Sequence, residues 1–254
     1  MITLFTTFRS FEDPVYSKIQ NNAVQSWGKI KPFISEFFVY GDDFGVKDLC
    51  EQNNFTYLPN IQKDHKNTPY LNDMLQETER LTKNDLILLI SGDIIVSQER
   101  FESCIKLIQN KFDQFCICSA KVHISTEEEI DFEKDWEKDL TSNAFDFHAG
   151  DFFLFNKGFF GQIPNFLVGR CRADRWLFKY AISKNVLIDA TDTIKIYHHR
   201  HHYNWNYNEN DESYKYNAEL YDNNGIEIEG VEKYVSIFDA NYKIDKSLNI
   251  SFIR

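Results

Sequence analysis

The stretch Leu86-Ile-Leu-Leu-Ile90 constrains the fold more than any other, because it is apolar at every position and bounded by polar residues. Five residues are too few to span a bilayer, and the lack of alternation removes the half-solvated strand. What remains is a strand covered on both faces, the kind found in α/β sheets. Ser91-Gly92-Asp93 follows at once and leads into the apolar Ile94-Ile-Val96. In open α/β sheets ligands collect beyond the carboxyl ends of the strands, which is where Asp93 is expected. The same three residues also read as an acidic turn between a strand and a helix.

The flanking segments repeat a strand and helix alternation. Ile2 to Phe8 predicts a first strand and Pro14 to Trp27 a helix with proline in its first turn. Phe37 to Tyr40 predicts a second strand ending in the turn-rich Gly41-Asp-Asp-Phe-Gly45, and Phe55 to Leu58 a short third. Helical spacing over Leu71 to Leu81 delivers the chain to Leu86. Beyond Asp93, a helix is expected over Arg100 to Lys111, strands over Gln114 to Ile124 and Ala149 to Phe155, and a helix over Arg172 to Ser183. Short strands over Val186 to Ala190 and Ile194 to Tyr197 lead into His198-His-Arg-His-His202. This order predicts an α/β fold with a mostly parallel central sheet flanked by helices.

No linker, repeat or low-complexity tract divides the 254 residues, so a single domain is expected. The charged stretch from Thr126 to Asp139 reads as a solvated helix or an inserted loop that could act as a lid. The tail beyond Tyr207 is expected to wrap the domain or close over a substrate. A formal charge of −11 argues against broad nucleic-acid binding, which depends on Lys and Arg neutralising phosphates. A bound nucleotide would then call on a divalent cation. Five cysteines without paired CxxC spacing read as reduced structural thiols, and the N-terminus has no secretory pattern or membrane span, so a cytoplasmic protein is expected.

Four of the seven histidines fall within five positions, and imidazole is a common transition-metal ligand. Aromatic and hydrogen-bonding packing is the competing reading. Asp174, near a helix start, is placed to stabilise the helix dipole. Asp151 stands at a strand start. Arg170 and Arg172 match the geometry of diphosphate or of a nearby carboxylate. Trp176 and Trp205 would suit a sugar ring, although core packing serves any single aromatic equally well.

Taken in order, Thr6-Thr7-Phe8, Asn22-Ala-Val-Gln-Ser-Trp27, Tyr40-Gly-Asp-Asp-Phe-Gly45, Asn67-Thr-Pro69, Ile90-Ser-Gly-Asp-Ile94, Phe166-Leu-Val-Gly-Arg170, Asp174-Arg-Trp-Leu177 and Tyr197-His198 with His201 resemble a GT-A-type glycosyltransferase. The resemblance covers roughly residues 1 to 205 and points to the nucleotide-diphospho-sugar transferase superfamily. It implies a nucleotide-binding half over 1–97, an acceptor and metal half over 98–205, and a C-terminal extension over 206–254. Thr6, Thr7 and Phe8 would border the nucleoside, and Asp42 or Asp43 would bind a base or ribose. Asn67, Ser91 and Arg170 would complete the donor-binding set. Asp93 would be the metal acid, joined by His198 or, failing that, His201, with Mn²⁺ or Mg²⁺ as the cation. Ser91 stands where the D-x-D signature has its first acid, a departure from the pattern. Asp174 would be the catalytic base and Asp151 a donor or acceptor contact.

The implied activity is transfer of a sugar from a UDP-sugar, or another nucleotide diphosphate sugar, to a glycan or similar hydroxyl acceptor. Two other readings compete: a non-catalytic nucleotide-sugar or glycan-binding protein with a degenerate site, supported by Ser91, and a metal-dependent hydrolase organised by the histidines.

Overall fold

In a computed structural model that describes residues 1–124, 129–140, 142–148, 150–199 and 210–254, the first strand lies inside a large sheet, third from one edge. The elements in chain order are β1 (Ile2–Thr7), α1 (Pro14–Ile30), β2 (Ile34–Tyr40), α2 (Val46–Asn53), β3 (Thr56–Leu58), α3 (Leu71–Leu81), β4 (Leu86–Ile90) and β5 (Ile94–Val96). There follow α4 (Phe101–Lys111), β6 (Cys116–Cys118), β7 (Lys121–Ile124), α5 (Trp136–Asp139), β8 (Ser142–Asp146) and β9 (Phe152–Asn156). The chain continues through α6 (Ala173–Ser183), β10 (Leu187–Asp189), β11 (Ile196–His199), α7 (Glu212–Asn223), β12 (Tyr242–Ile244) and β13 (Ile250–Phe252).

Nine strands form one sheet in the order β13-β12-β10-β6-β9-β4-β1-β2-β3, and β5-β11-β7-β8 form a second. In the large sheet β3, β2, β1 and β4 run parallel, β9 is antiparallel to both β4 and β6, and β6, β10 and β12 are again parallel. Strand alternation divides the core. Leu4, Val39 and Leu88 meet Trp27, Leu49 and Ile105 on one face, while Phe5, Phe38 and Ile87 meet Met74, Leu177 and Tyr221 on the other. The uninterrupted apolar run of β4 therefore reflects helices on both sides, as its sequence predicts.

Helix α1 begins at Pro14 as expected, with the Asp13 carboxylate accepting the Val15 and Tyr16 N–H groups. It runs three residues further than expected because Ile30 shares the fully buried face of Trp27, one turn away. Four other expectations are corrected. The strand expected over Gln114 to Ile124 is two strands in different sheets. At the break, Ser119 Oγ donates to the Ile194 carbonyl and Thr191 Oγ1 accepts the Ala120 N–H. β9 starts at Phe152, since Gly150 leaves the ladder to donate its N–H to Asp174 Oδ2, and Ala149, the first residue of the expected strand, lies outside the described residues. β11 extends through His199, so the first two histidines of the cluster lie inside a strand. The segment 129–139 is no free lid: Phe132 and Trp136 pack on Ile95, Val122 and Tyr197 of the small sheet.

The described part of the C-terminal tail wraps the domain. α7 follows α6 in the second core cluster through Tyr221, and β12 and β13 extend the large sheet past β10. No described helix is long and apolar enough to cross a membrane.

Candidate active site

The carboxyl ends of β1, β2 and β4 come together around Gly92. A Cβ there would lie 2.6 Å from the Thr7 carbonyl oxygen and 2.7 Å from the Phe8 ring, so the turn after β4 can rest on β1 only as glycine. The Ile94 N–H closes this turn on the Ser91 carbonyl, and the Trp27 indole N–H donates to the Ile94 carbonyl. Asp93 is thereby held at the tip, with its side chain 26% exposed.

The small sheet supplies its partner. β11 pairs antiparallel with β5 in a register that sets His198 opposite Ile94, and His198 Nε2 lies 3.2 Å from Asp93 Oδ2. His198 is buried at 2% exposure. His123, beside it on β7, meets it edge to face with ring centroids 5.4 Å apart. Asp146 on β8 lies 3.5 Å from His123 Nε2, whereas His123 Nδ1 is buried without a hydrogen-bond partner among the described residues. Burial, followed by the nearby His198 and Lys121, holds the His123 imidazole below its usual pKa. Burial would raise the Asp146 carboxyl, but the His148 N–H, Lys121 and His123 outweigh it and lower it. His199 is occupied structurally, with Nε2 3.2 Å from Asn22 Nδ2 of α1.

A second group lies at the start of β9. Asp151 Oδ1 accepts from Ser91 Oγ at 2.9 Å, and its Oδ2 pairs at 2.6 Å with the ammonium of Lys121, a side chain only 7% exposed. Ser91 thus binds an acid instead of being one. Next to it, the Gly150 N–H donates to Asp174 Oδ2 at 3.1 Å from the first turn of α6. Burial above all pushes the Asp174 carboxyl up from its usual range; the Gly150 N–H opposes this and the Asp151 charge adds to it.

The other expected donor contacts divide. Thr7, at the end of β1, packs its hydroxyl near Gly41, beside Asp42 and Asp43 at the end of β2. Asp42 pairs with Lys63, whose hydrogen bond lowers the carboxyl, and also bonds Asn67; burial raises Asp43. Arg170 Nη2 donates to Thr68 Oγ1 at 3.1 Å, and burial followed by the charge of Arg9 lowers the guanidinium pKa. Thr6 and Phe8, the neighbours of Thr7, are both buried. The Thr6 side chain is fully buried with its hydroxyl donating to the Thr7 carbonyl, because alternation turns it away from Thr7. Phe8 is a buried wall, its ring packed on Trp27 and Phe11 rather than presented to a ligand. His201 and Trp205 lie outside the described residues.

Among the described residues no three His, Cys, Asp or Glu side chains converge as a ready-made metal cage. Asp93 and His198 offer one carboxylate and one imidazole, a donor set that fits a cation whose remaining ligands come from a bound molecule. Sequence reasoning missed Lys121, His123 and Asp146. The available signal was a cation and an imidazole inside the otherwise apolar stretch Cys116 to Ile124.

No known sequence family matches the chain, and no curated protein matches it in sequence. Solved structures do match its fold. Residues 1–349 of TarS from S. aureus in complex with UDP-GlcNAc align at 11% identity and a TM-score of 0.52, over 79% of this chain and 59% of that one. The same fragment in complex with UDP aligns at 12% identity and a TM-score of 0.51, over 78% and 60%. The chain spans about three-fifths of the TarS fragment it matches. The chain shares with these structures a GT-A-type, Rossmann-like fold.

Proposed function

We propose that this chain, built on a GT-A-type fold, transfers a sugar from a nucleotide diphosphate sugar, with UDP as carrier, to a hydroxyl group of a glycan or similar acceptor. The observation that carries this reading is the Asp93–His198 pair, set at the carboxyl end of β4 where such sheets bind ligands. UDP is favoured as carrier because two of the matching structures hold UDP or UDP-GlcNAc. Five free cysteines suit a reducing, cytosolic setting.

Asp93 and His198 would hold the cation, and the mixed oxygen and nitrogen donors favour Mn²⁺ over Mg²⁺. Such an ion neutralises negative charge growing on the departing diphosphate. Arg170 would pair with the diphosphate, and Thr7, Asp42, Asp43 and Asn67 would edge the nucleoside. Asp151 is tied to the Lys121 ammonium, whereas Asp174 accepts from the backbone N–H groups of Gly150 and Arg175 and burial raises its carboxyl, so Asp174 is the better base. It would take the acceptor hydroxyl proton as that oxygen bonds to the anomeric carbon and the bond to the diphosphate breaks, inverting the centre. A second reading, a nucleotide-sugar-binding protein without turnover, is favoured by the engagement of Ser91 with Asp151.

Calorimetric titration of UDP, GDP and CDP, each with and without Mn²⁺, tests the proposal. Metal-dependent binding of UDP that disappears in Asp93→Ala supports it. No binding of any nucleotide overturns it. Binding without product from any UDP-sugar and glycan selects the second reading.

A further inference from the structure

A cavity of about 420 Å³ opens where β5 ends, between that strand, the C-terminal turn of α1 and the segment 132–137. Its size lies within the range of small-ligand sites. Ser97, Glu99, Glu133, Trp136 and Glu137 are among its lining residues. We propose that this cavity is a saccharide-binding subsite, apart from the Asp93–His198 pair.

Its chemistry narrows the occupant. Trp136 is partly exposed and fixed by Phe132 and Tyr197, with ring centroids 5.1 and 5.4 Å away, so it presents an apolar surface that loses little freedom on binding. The Glu137 carboxylate is oriented from behind, by the Ser97 hydroxyl on Oε1 and by the Tyr197 hydroxyl at 2.7 Å on Oε2. An ionised carboxylate has about four acceptor positions, so capacity for ligand hydroxyls remains. Glu99 and Gln98 stand exposed on the rim.

Charge removes the other classes. Lys29 pairs with Glu133, and Lys195 lies 3.5 Å from Glu137, so the acids are already balanced against a cationic ligand. The lining still carries three carboxylates against the one ammonium of Lys29, which disfavours an anionic ligand, and a wholly apolar ligand would strip water from the acids without replacing its hydrogen bonds. A neutral polyol with an apolar ring face satisfies both the indole and the acids. The site stands on its own geometry. Its link to catalysis rests on the proposed transfer reaction, under which it would hold a distant unit of a glycan acceptor. Ser97 and Asp93 flank the same strand, four residues or about 13 Å apart.

Saturation-transfer NMR on the full chain, saturated with UDP, tests the proposal with maltotriose, cellotriose and the trimer of N-acetylglucosamine as probes, each up to about 10 mM. The expected result is saturation of at least one trisaccharide, weakened about tenfold or more by Trp136→Ala and by Glu137→Gln, with UDP affinity unchanged. No transfer to any of the three, or equal affinity in both variants, overturns it. Should both variants fail to fold by circular dichroism, Glu99→Gln on the exposed rim decides, and unchanged binding there overturns the site. Failure of wild-type protein to bind UDP would remove the transfer reaction and leave the saccharide result standing.

Discussion

His198 Nε2 meets Asp93 Oδ2 at 3.2 Å across 105 residues of sequence, and the imidazole is buried at 2% exposure. Under the proposed metal assignment, removing either partner would deprive a bound cation of one of its two described protein ligands. Asp93→Ala and His198→Ala are each expected to weaken Mn²⁺-dependent UDP binding by about tenfold or more, near 1.4 kcal/mol. Titration calorimetry with and without Mn²⁺ reads this directly, and equal affinity with and without the metal in all three proteins would remove the assignment.

Asp174→Asn should lower turnover by about 100- to 10,000-fold, the usual contribution of a positioned base. A base acts ionised, and burial raises this carboxyl above its ordinary value. Activity of the native chain should therefore fall as pH drops through a range above that of an exposed aspartate. A pH–rate profile that keeps the same acid limb in the variant would show that another group titrates.

Gly92→Ala would drive a methyl group into the Thr7 carbonyl and the Phe8 ring. Because a backbone oxygen cannot swing aside like a flexible side chain, a loss of about 1 to 3 kcal/mol is expected in urea denaturation. UDP affinity should fall with it, since the same turn carries Asp93.

Lys121→Met would leave Asp151 without its ammonium in a site only 23% exposed. The expected cost is about 3 kcal/mol, the lower end for breaking a buried pair, because Asp151 keeps Ser91 and some water. Adding Asp151→Leu should recover most of that loss. A double variant as unstable as the single one would locate the effect in packing around Lys121 instead.

What the sequence revealed and what it hid follow one division. Leu86 to Ile90 and Leu71 to Leu81 were legible with correct bounds because their own apolar spacing records which faces are covered. The split between β6 and β7 was not, since Cys116 to Ile124 has no glycine or proline to mark a break and the break depends on bonds to Thr191 and Ile194. Asp93 and His198 were legible as residue types at strand ends. Lys121, His123 and Asp146 were not, because a charged group inside a strand is explained only by a partner on another strand. Thr6 and Phe8 are buried while Thr7 is half-exposed, a division that follows from side chains alternating along a strand.

The separation of Asp93 from His198 also sets a schedule. A growing chain that has exposed β4 has the acid but not the imidazole, and another 105 residues must follow. At ordinary rates of synthesis that interval is about 5 to 20 s. During it the parallel strands β1, β2 and β4 can associate, while only half of the Asp93–His198 pair exists. Whatever a ligand of that pair would add to stability is thus available only after β11 has been made, and the early sheet must hold together without it.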